Sequence, residues 1–176
     1  MDFIRLHSGE DPLFVPLFSL YQSSFPLHEQ RRPGDQLAAL SHPDYHCMAI
    51  TEDGAFCGLL MTWESPDLIY VEHFAVSPDR RGSGLGSRVL EKLRRAPQPL
   101  ILEIDPPEDD ISIRRRRFYE RAGFVLSDIP HIHPAYRKDC APHRLALMSS
   151  PGPLTPALAG AFRRYLSGVV MAFSER

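Results

Sequence analysis

An α/β fold, with a mixed and mostly antiparallel sheet and helices on both faces, is predicted by three stretches of this sequence. Tyr45–Thr51 and Ala55–Trp63 are apolar, β-branched and aromatic, and they flank Glu52-Asp53-Gly54, so they read as a hairpin. Ile69 to Val76 is a further strand, ended by Ser77-Pro78-Asp79 and followed by a glycine-rich loop that opens a helix with Leu85, Val89, Leu90 and Leu93 on one face. Pro99 to Ile104 is a buried strand reached through that helix, so it should lie parallel to and beside the strand 69–76.

The chain of 176 residues suits a single domain, 1–176, able to bury its own core, with 151–176 as a linker plus a C-terminal amphipathic helix. Apolar residues make up 43% and the net charge is −2, which argues against a generally basic nucleic-acid binder. Cys47, Cys57 and Cys140 are odd in number and lack paired spacing. This predicts no disulfide framework and a reducing compartment, the cytoplasm. With Asp2 and Arg5 near its start and no apolar run close to the ~20 residues a span needs, the sequence predicts no leader and no membrane segment.

In chain order, Phe3–Leu6 is a first short strand, and Asp11-Pro12 has the form of a helix cap followed by proline at the first helical position. Leu13, Phe14, Leu17, Phe18 and Tyr21 then share a face, with Pro16 inside the first turn as a kink or a later start. Ser23 to Gly34 is a polar loop around Phe25-Pro26, and Asp35 to Leu40 is a short helix. Gly58, inside the second hairpin strand, predicts a bulge or a close backbone approach.

Glu103 and Asp105 alternate onto one face at the end of the strand 99–104, lining a cleft or meeting solvent. Asp110 to Ala122 is a helix stopped by Gly123. Its Arg114–Arg117 run spreads around the helix at about 100° per residue and so makes no nucleic-acid stripe. Phe124–Asp128 and Arg144–Met148 are the last strands. Between them, Pro130 to His143 reads as a long, proline-stiffened loop. His131, His133, Cys140 and His143 are zinc-ligand types, but their spacing fits no standard closed site, and no metal is expected. A last helix starts at Thr155-Pro156 and carries Leu158, Phe162, Tyr165, Leu166, Val169, Val170 and Phe173 on one face, to be covered by the domain or by a second copy in a homodimer.

The loop Arg81-Gly82-Ser83-Gly84-Leu85-Gly86 has a chemical use of its own. The first N–H groups of a helix lack internal partners, and glycines let an anion approach the backbone. The dinucleotide spacing fails because Ser87 and Val89 stand where its third glycine would be, and no Gly-Lys-Ser/Thr follows for a P-loop.

Those six residues fit, at every fixed position, the Arg/Gln-x-x-Gly-x-Gly/Ala motif of the GNAT superfamily of acyl-CoA N-acyltransferases, which this chain resembles. The strand with Glu72 and Phe74-Ala75-Val76 is similar to that family's central strand, and Phe118 to Phe124 resembles its Phe-Tyr-x-x-x-Gly-Phe signature. The resemblance covers about residues 69–126. It implies a V-shaped acyl-CoA cleft and transfer of an acetyl group from acetyl-CoA to a primary amine by direct attack in a ternary complex. It also implies that the backbone of Phe74, Ala75 and Val76 holds the pantetheine arm and that Arg81 to Ser87 holds the pyrophosphate. Glu72 would then be the base, with Glu103 its rival, and Tyr119 the acid for the departing thiolate. Ser112 stands where many members carry an asparagine that contacts pantetheine. Phe25, His28 and Glu29 would meet the acceptor, a small-molecule or peptide amine. A carboxylate base suits an ammonium acceptor, and a phenol with a pKa near ~10 stays protonated at neutral pH. A non-catalytic acyl-CoA-binding module is the main alternative, with a zinc-dependent or nucleic-acid-binding protein behind it.

Overall fold

The structure is a computed structural model, described for residues 1–175. Its sheet contains β1 (Asp2–Leu6), β2 (Tyr45–Glu52), β3 (Ala55–Glu64), β4 (Ile69–Val76), β5 (Leu100–Ile104), β6 (Val125–Leu126), β7 (His131–His133) and β8 (His143–Ser150). The strand order is β1-β2-β3-β4-β5-β8-β6, with β7 also paired to β8. Every pairing is antiparallel except β4 with β5, as the helical crossover between them predicts.

Helices cover both faces. α1 (Phe14–Ser24), α2 (Pro33–Ala39) and α5 (Pro156–Gly168) pack on one side, where Leu17, Tyr21, Trp63, Tyr70 and Phe162 are buried together. α3 (Leu85–Leu93) and α4 (Asp110–Arg121) pack on the other, around Leu60, Val71, Val89, Leu90, Leu102 and Phe124. The apolar face of α5 therefore lies on this chain's own sheet, one of the two placements its sequence allowed. The last helical residues form a separate 3-10 turn, Val170–Phe173, which carries Val170 and Met171 into the same core.

The β2–β3 turn has Asp53 at φ 52° and Gly54 at φ 78°, the two left-handed residues that match the twist of a hairpin. Gly58 meets both expectations. The register shifts beside it, where Ile50 pairs with Gly58 and Thr51 with Phe56, and a Cβ on Gly58 would lie 2.6 Å from the Ala75 carbonyl oxygen. Three boundaries differ from the sequence reading. Asp11 does not cap α1, because its carboxylate accepts from the His7 and Ser8 N–H groups, and the helix starts at Phe14 with Pro16 in its first turn. The α1–α2 loop holds a 3-10 turn, Leu27–Glu29. The stretch read as a loop before β8 contains β7, because buried His131 and His133 alternate with exposed Ile132 and β8 supplies an edge.

Cys47, Cys57 and Cys140 are free thiols. No helix among the described residues is long and apolar enough to cross a membrane.

A cleft where two parallel strands part

β4 and β5 pair only from Ile69–Val71 to Leu100–Leu102. Beyond that point β4 carries a bulge. Thr62 pairs with Val71 and Met61 with His73, so Glu72 is the extra residue, and the added twist turns β4 away from β5. The parting strands open a cleft of about 720 Å³, lined by 72–76 on one side and 102–105 on the other. Along this stretch the edge of β4 facing β5 has no strand partner among the described residues, while the Val76 carbonyl accepts from Arg81 Nε at 3.3 Å and the Ala75 carbonyl lies towards Gly58 of β3.

One end of the cleft is the glycine loop. Gly82 (φ 80°) and Gly84 (φ 77°) are left-handed, a conformation in which any Cβ is strained. Gly84 is the N-cap of α3 without a side-chain cap, and the first turn closes from Arg88 N–H to the Gly84 carbonyl at 3.2 Å. The N–H groups of Leu85, Gly86 and Ser87 thus precede any helical acceptor, and these residues border the cleft. A Cβ on Gly86 would come within 3.1 Å of the Phe118 ring. Leu85 is buried in the core, whereas Arg81 and Ser87 are exposed. The loop suits a bulky anion such as a pyrophosphate.

Two residues expected at this site act elsewhere. The Ser83 hydroxyl donates to the Arg80 carbonyl at 2.7 Å and braces the loop, so its side chain does not line the cleft. Ser112 forms a capping box with Asp109 at the start of α4, each side chain bonding the other's backbone, and is likewise absent from the lining. Its hydroxyl is used to start the helix.

The expected base is engaged within the protein as well. Glu72 is fully buried, and its two oxygens accept from both terminal nitrogens of Arg31, from Trp63 Nε1 at 3.0 Å and from the Tyr136 hydroxyl at 2.8 Å. Burial alone would raise its pKa, but the Arg31 charge and the hydrogen bonds outweigh it and hold the carboxyl far below the usual range. A carboxylate so saturated has no lone pair free for an incoming proton. Glu103 is also engaged, by the Tyr70 hydroxyl at 2.5 Å and by His131 Nε2, and His133 and His131 keep its pKa low against burial. Both acids border the cleft with their oxygens already held by protein groups.

Tyr119 stands differently. Burial pushes its pKa up to about 12, and its hydroxyl makes no hydrogen bond among the described residues while its side chain borders the cleft. Phe118 and Phe124 pack edge-on against the ring and fix it.

At the opposite end, Phe25, His28 and Glu29 reach the cleft together with His73, His133, Tyr136 and His143. Phe25 packs edge-on to His73, whose Nε2 donates to the Glu29 carbonyl at 2.9 Å. The histidine–cysteine set is not assembled. His131 and His133 turn towards Glu103, and the Cys140 thiol contacts Asp139, so only His143 joins His28 and Glu29, with side-chain nitrogen and oxygen atoms within 4.8 Å of one another. Arg31 and Tyr136 were not singled out from the sequence. No local pattern marks them, because their partner Glu72 is 41 and 64 residues away.

Of the four consecutive arginines, Arg115 reaches the cleft rim, paired to Asp105 at 2.5 Å, and Arg116 pairs with Glu120 on its own helix.

Comparison with known proteins agrees with this architecture. The profile of the "Acetyltransferase (GNAT) family" matches residues 14–124. The Bacillus subtilis (strain 168) protein YjbC is 35% identical over 104 residues, 57% of this chain, and the match spans about half of that relative's length, 52%. A Bacteroides thetaiotaomicron structure described as from the GNAT family superposes with a TM-score of 0.90 at 26% identity, covering 97% of this chain and 98% of that one. An aminoglycoside 6'-N-acetyltransferase complexed with coenzyme A shares the fold at a TM-score of 0.64 and 12% identity, over 85% of this chain and 96% of its own. A profile match over more than half of its residues, on the splayed β4–β5 cleft just described, shows that this chain belongs to the GNAT acetyltransferase family.

Proposed function

We propose that the protein transfers the acetyl group of acetyl-CoA to the nitrogen of a primary amine. The observation that carries this reading is the continuity of one cleft from the positive-φ glycine loop, along the unpartnered edge of β4, to a wall of histidines and a carboxylate. The donor supplies an activated acyl thioester. Arg81 and the N–H groups of 82–87 bind its pyrophosphate, and the backbone of Phe74, Ala75 and Val76 holds the extended arm as a strand would. A β4 N–H also polarises the acyl carbonyl as charge develops on its oxygen. Tyr119, protonated at neutral pH, gives its proton to the leaving sulfur. Phe25, His28 and Glu29 shape the acceptor end. Three unpaired cysteines suit work in a reducing compartment such as the cytoplasm.

Calorimetry with acetyl-CoA, followed by thiol release against a panel of primary amines, tests this. One equivalent should bind and raise the melting temperature, with about 2.7 kcal/mol of stabilisation at a hundredfold the dissociation constant. No binding at millimolar acetyl-CoA would overturn the reading. Binding without thiol release from any amine would reduce the protein to a binding module.

A further inference from the structure

Four carboxylates border the cleft, and three are already committed. Glu72 is held by Arg31, Trp63 and Tyr136; Glu103 by Tyr70 and His131; Asp105 by Arg115. The Glu29 side chain accepts no hydrogen bond among the described residues, and the contact recorded for its carboxylate is His28 Nε2 at 3.8 Å. We propose that Glu29, with His143 beside it in the cleft wall, is the base that takes the proton from an acceptor arriving as an ammonium ion. The inference rests on the acetyl-transfer reading and gives it the residue that Glu72 and Glu103 cannot supply.

The environment of Glu29 is the reverse of theirs. Its side chain is 21% exposed, enough for a ligand to reach, and it lines the cleft with Phe25, Pro26, His28 and His143. Burial, helped by the Asp105 charge, raises its pKa against the opposing pull of His73, His28 and Arg115, whereas the pKa values of Glu72 and Glu103 are lowered. A carboxylate raised towards the working pH is the better proton acceptor. Its position is set by the backbone, because Glu29 sits in the 3-10 turn and its carbonyl accepts from His73.

His143 completes the pair. Both of its ring nitrogens are buried without a hydrogen-bond partner among the described residues, and burial, with His133 and His28 nearby, lowers its pKa below the ordinary 6.5. A neutral imidazole can donate one N–H to a carboxylate or substrate without cancelling the carboxylate's charge.

The protons balance. An ammonium N–H bond breaks and its proton moves to a Glu29 oxygen. The freed lone pair forms the N–C bond as the C–S bond breaks. The second proton shed by nitrogen replaces the one that Tyr119 gives to sulfur, so one proton per turnover remains on Glu29 and returns to water.

Glu29→Gln in the full chain tests the proposal. Acetyl-CoA affinity should stay within twofold of native. The melting temperature at pH 7 should rise, because a desolvated charge is removed, whereas a structural carboxylate would lower it. Any panel amine acetylated by the native protein should be turned over ~10²- to 10⁴-fold more slowly, with the loss shrinking at high pH, where the free amine no longer needs a base. Carboxyl-carbon NMR of the protein alone should show Glu29 titrating above the ordinary 4.5. A Glu29 midpoint at or below 4.5, native turnover in the variant, or one equivalent of zinc bound natively and lost in His143→Ala would each overturn it. Failure of the native protein to bind acetyl-CoA would instead sink the acetyl-transfer reading, which the NMR and melting readouts do not depend on.

Discussion

The Arg31 guanidinium meets the Glu72 carboxylate in a two-pronged ion pair, Nη1 to Oε2 at 2.7 Å and Nη2 to Oε1 at 2.6 Å, with no exposure of either side chain. Arg31 also donates to the Phe173 and Val170 carbonyls and packs over the Tyr136 ring at 4.7 Å. The pair therefore ties together the loop after α1, the floor of the cleft and the C-terminal turn. Breaking a buried pair strands a charge, and Glu72→Gln should destabilise the fold by roughly 3–5 kcal/mol in urea unfolding. An ordinary melting curve with lost turnover would instead return Glu72 to catalysis.

The same pair sets an acid limit. The folded pKa of Glu72, like that of Glu103, lies below the ordinary 4.5, so its stabilisation is fully present above about pH 4.5 and is lost as the pH falls towards the lower native value. Urea midpoints measured from pH 6 downwards should hold until near 4.5 and then drop. In Glu72→Gln the drop should be shallower.

Gly84→Val forces a β-branched residue to φ 77° at the start of α3, a strain of at least ~1–2 kcal/mol. Because the substitution also disturbs the N–H groups that face the anion, the acetyl-CoA thermal shift should vanish while circular dichroism remains native. A retained shift would remove the loop as the pyrophosphate site.

Tyr119→Phe keeps the ring between Phe118 and Phe124 and deletes only a hydroxyl without a hydrogen-bond partner among the described residues. Stability and acetyl-CoA affinity should change little while turnover falls ~10²-fold.

Gly58→Ala would drive a methyl to 2.6 Å from the Ala75 backbone oxygen, and a backbone atom cannot swing aside as a side-chain tip can. A loss of about 1–3 kcal/mol is expected in unfolding, and acetyl-CoA should bind less tightly because Ala75 lies on the cleft strand. Unchanged stability would show that β3 and β4 can separate there.

The sequence alone was enough for the parts of this protein whose chemistry runs along contiguous backbone. The hairpin at Asp53-Gly54, β4 up to Pro78, and the glycine loop entering α3 are all legible because turn conformation, strand patterning and free helix N–H groups depend on neighbours a few residues apart. Tertiary structure decided which charges were free. Glu72, Glu103 and Glu29 look alike as letters, but Arg31 and Tyr136 reach Glu72 across 41 and 64 residues, His131 reaches Glu103 across 28, and no side chain among the described residues hydrogen-bonds the carboxylate of Glu29. A carboxylate's proton affinity is set by burial and by the charges packed around it, and those neighbours are brought together only when the chain folds.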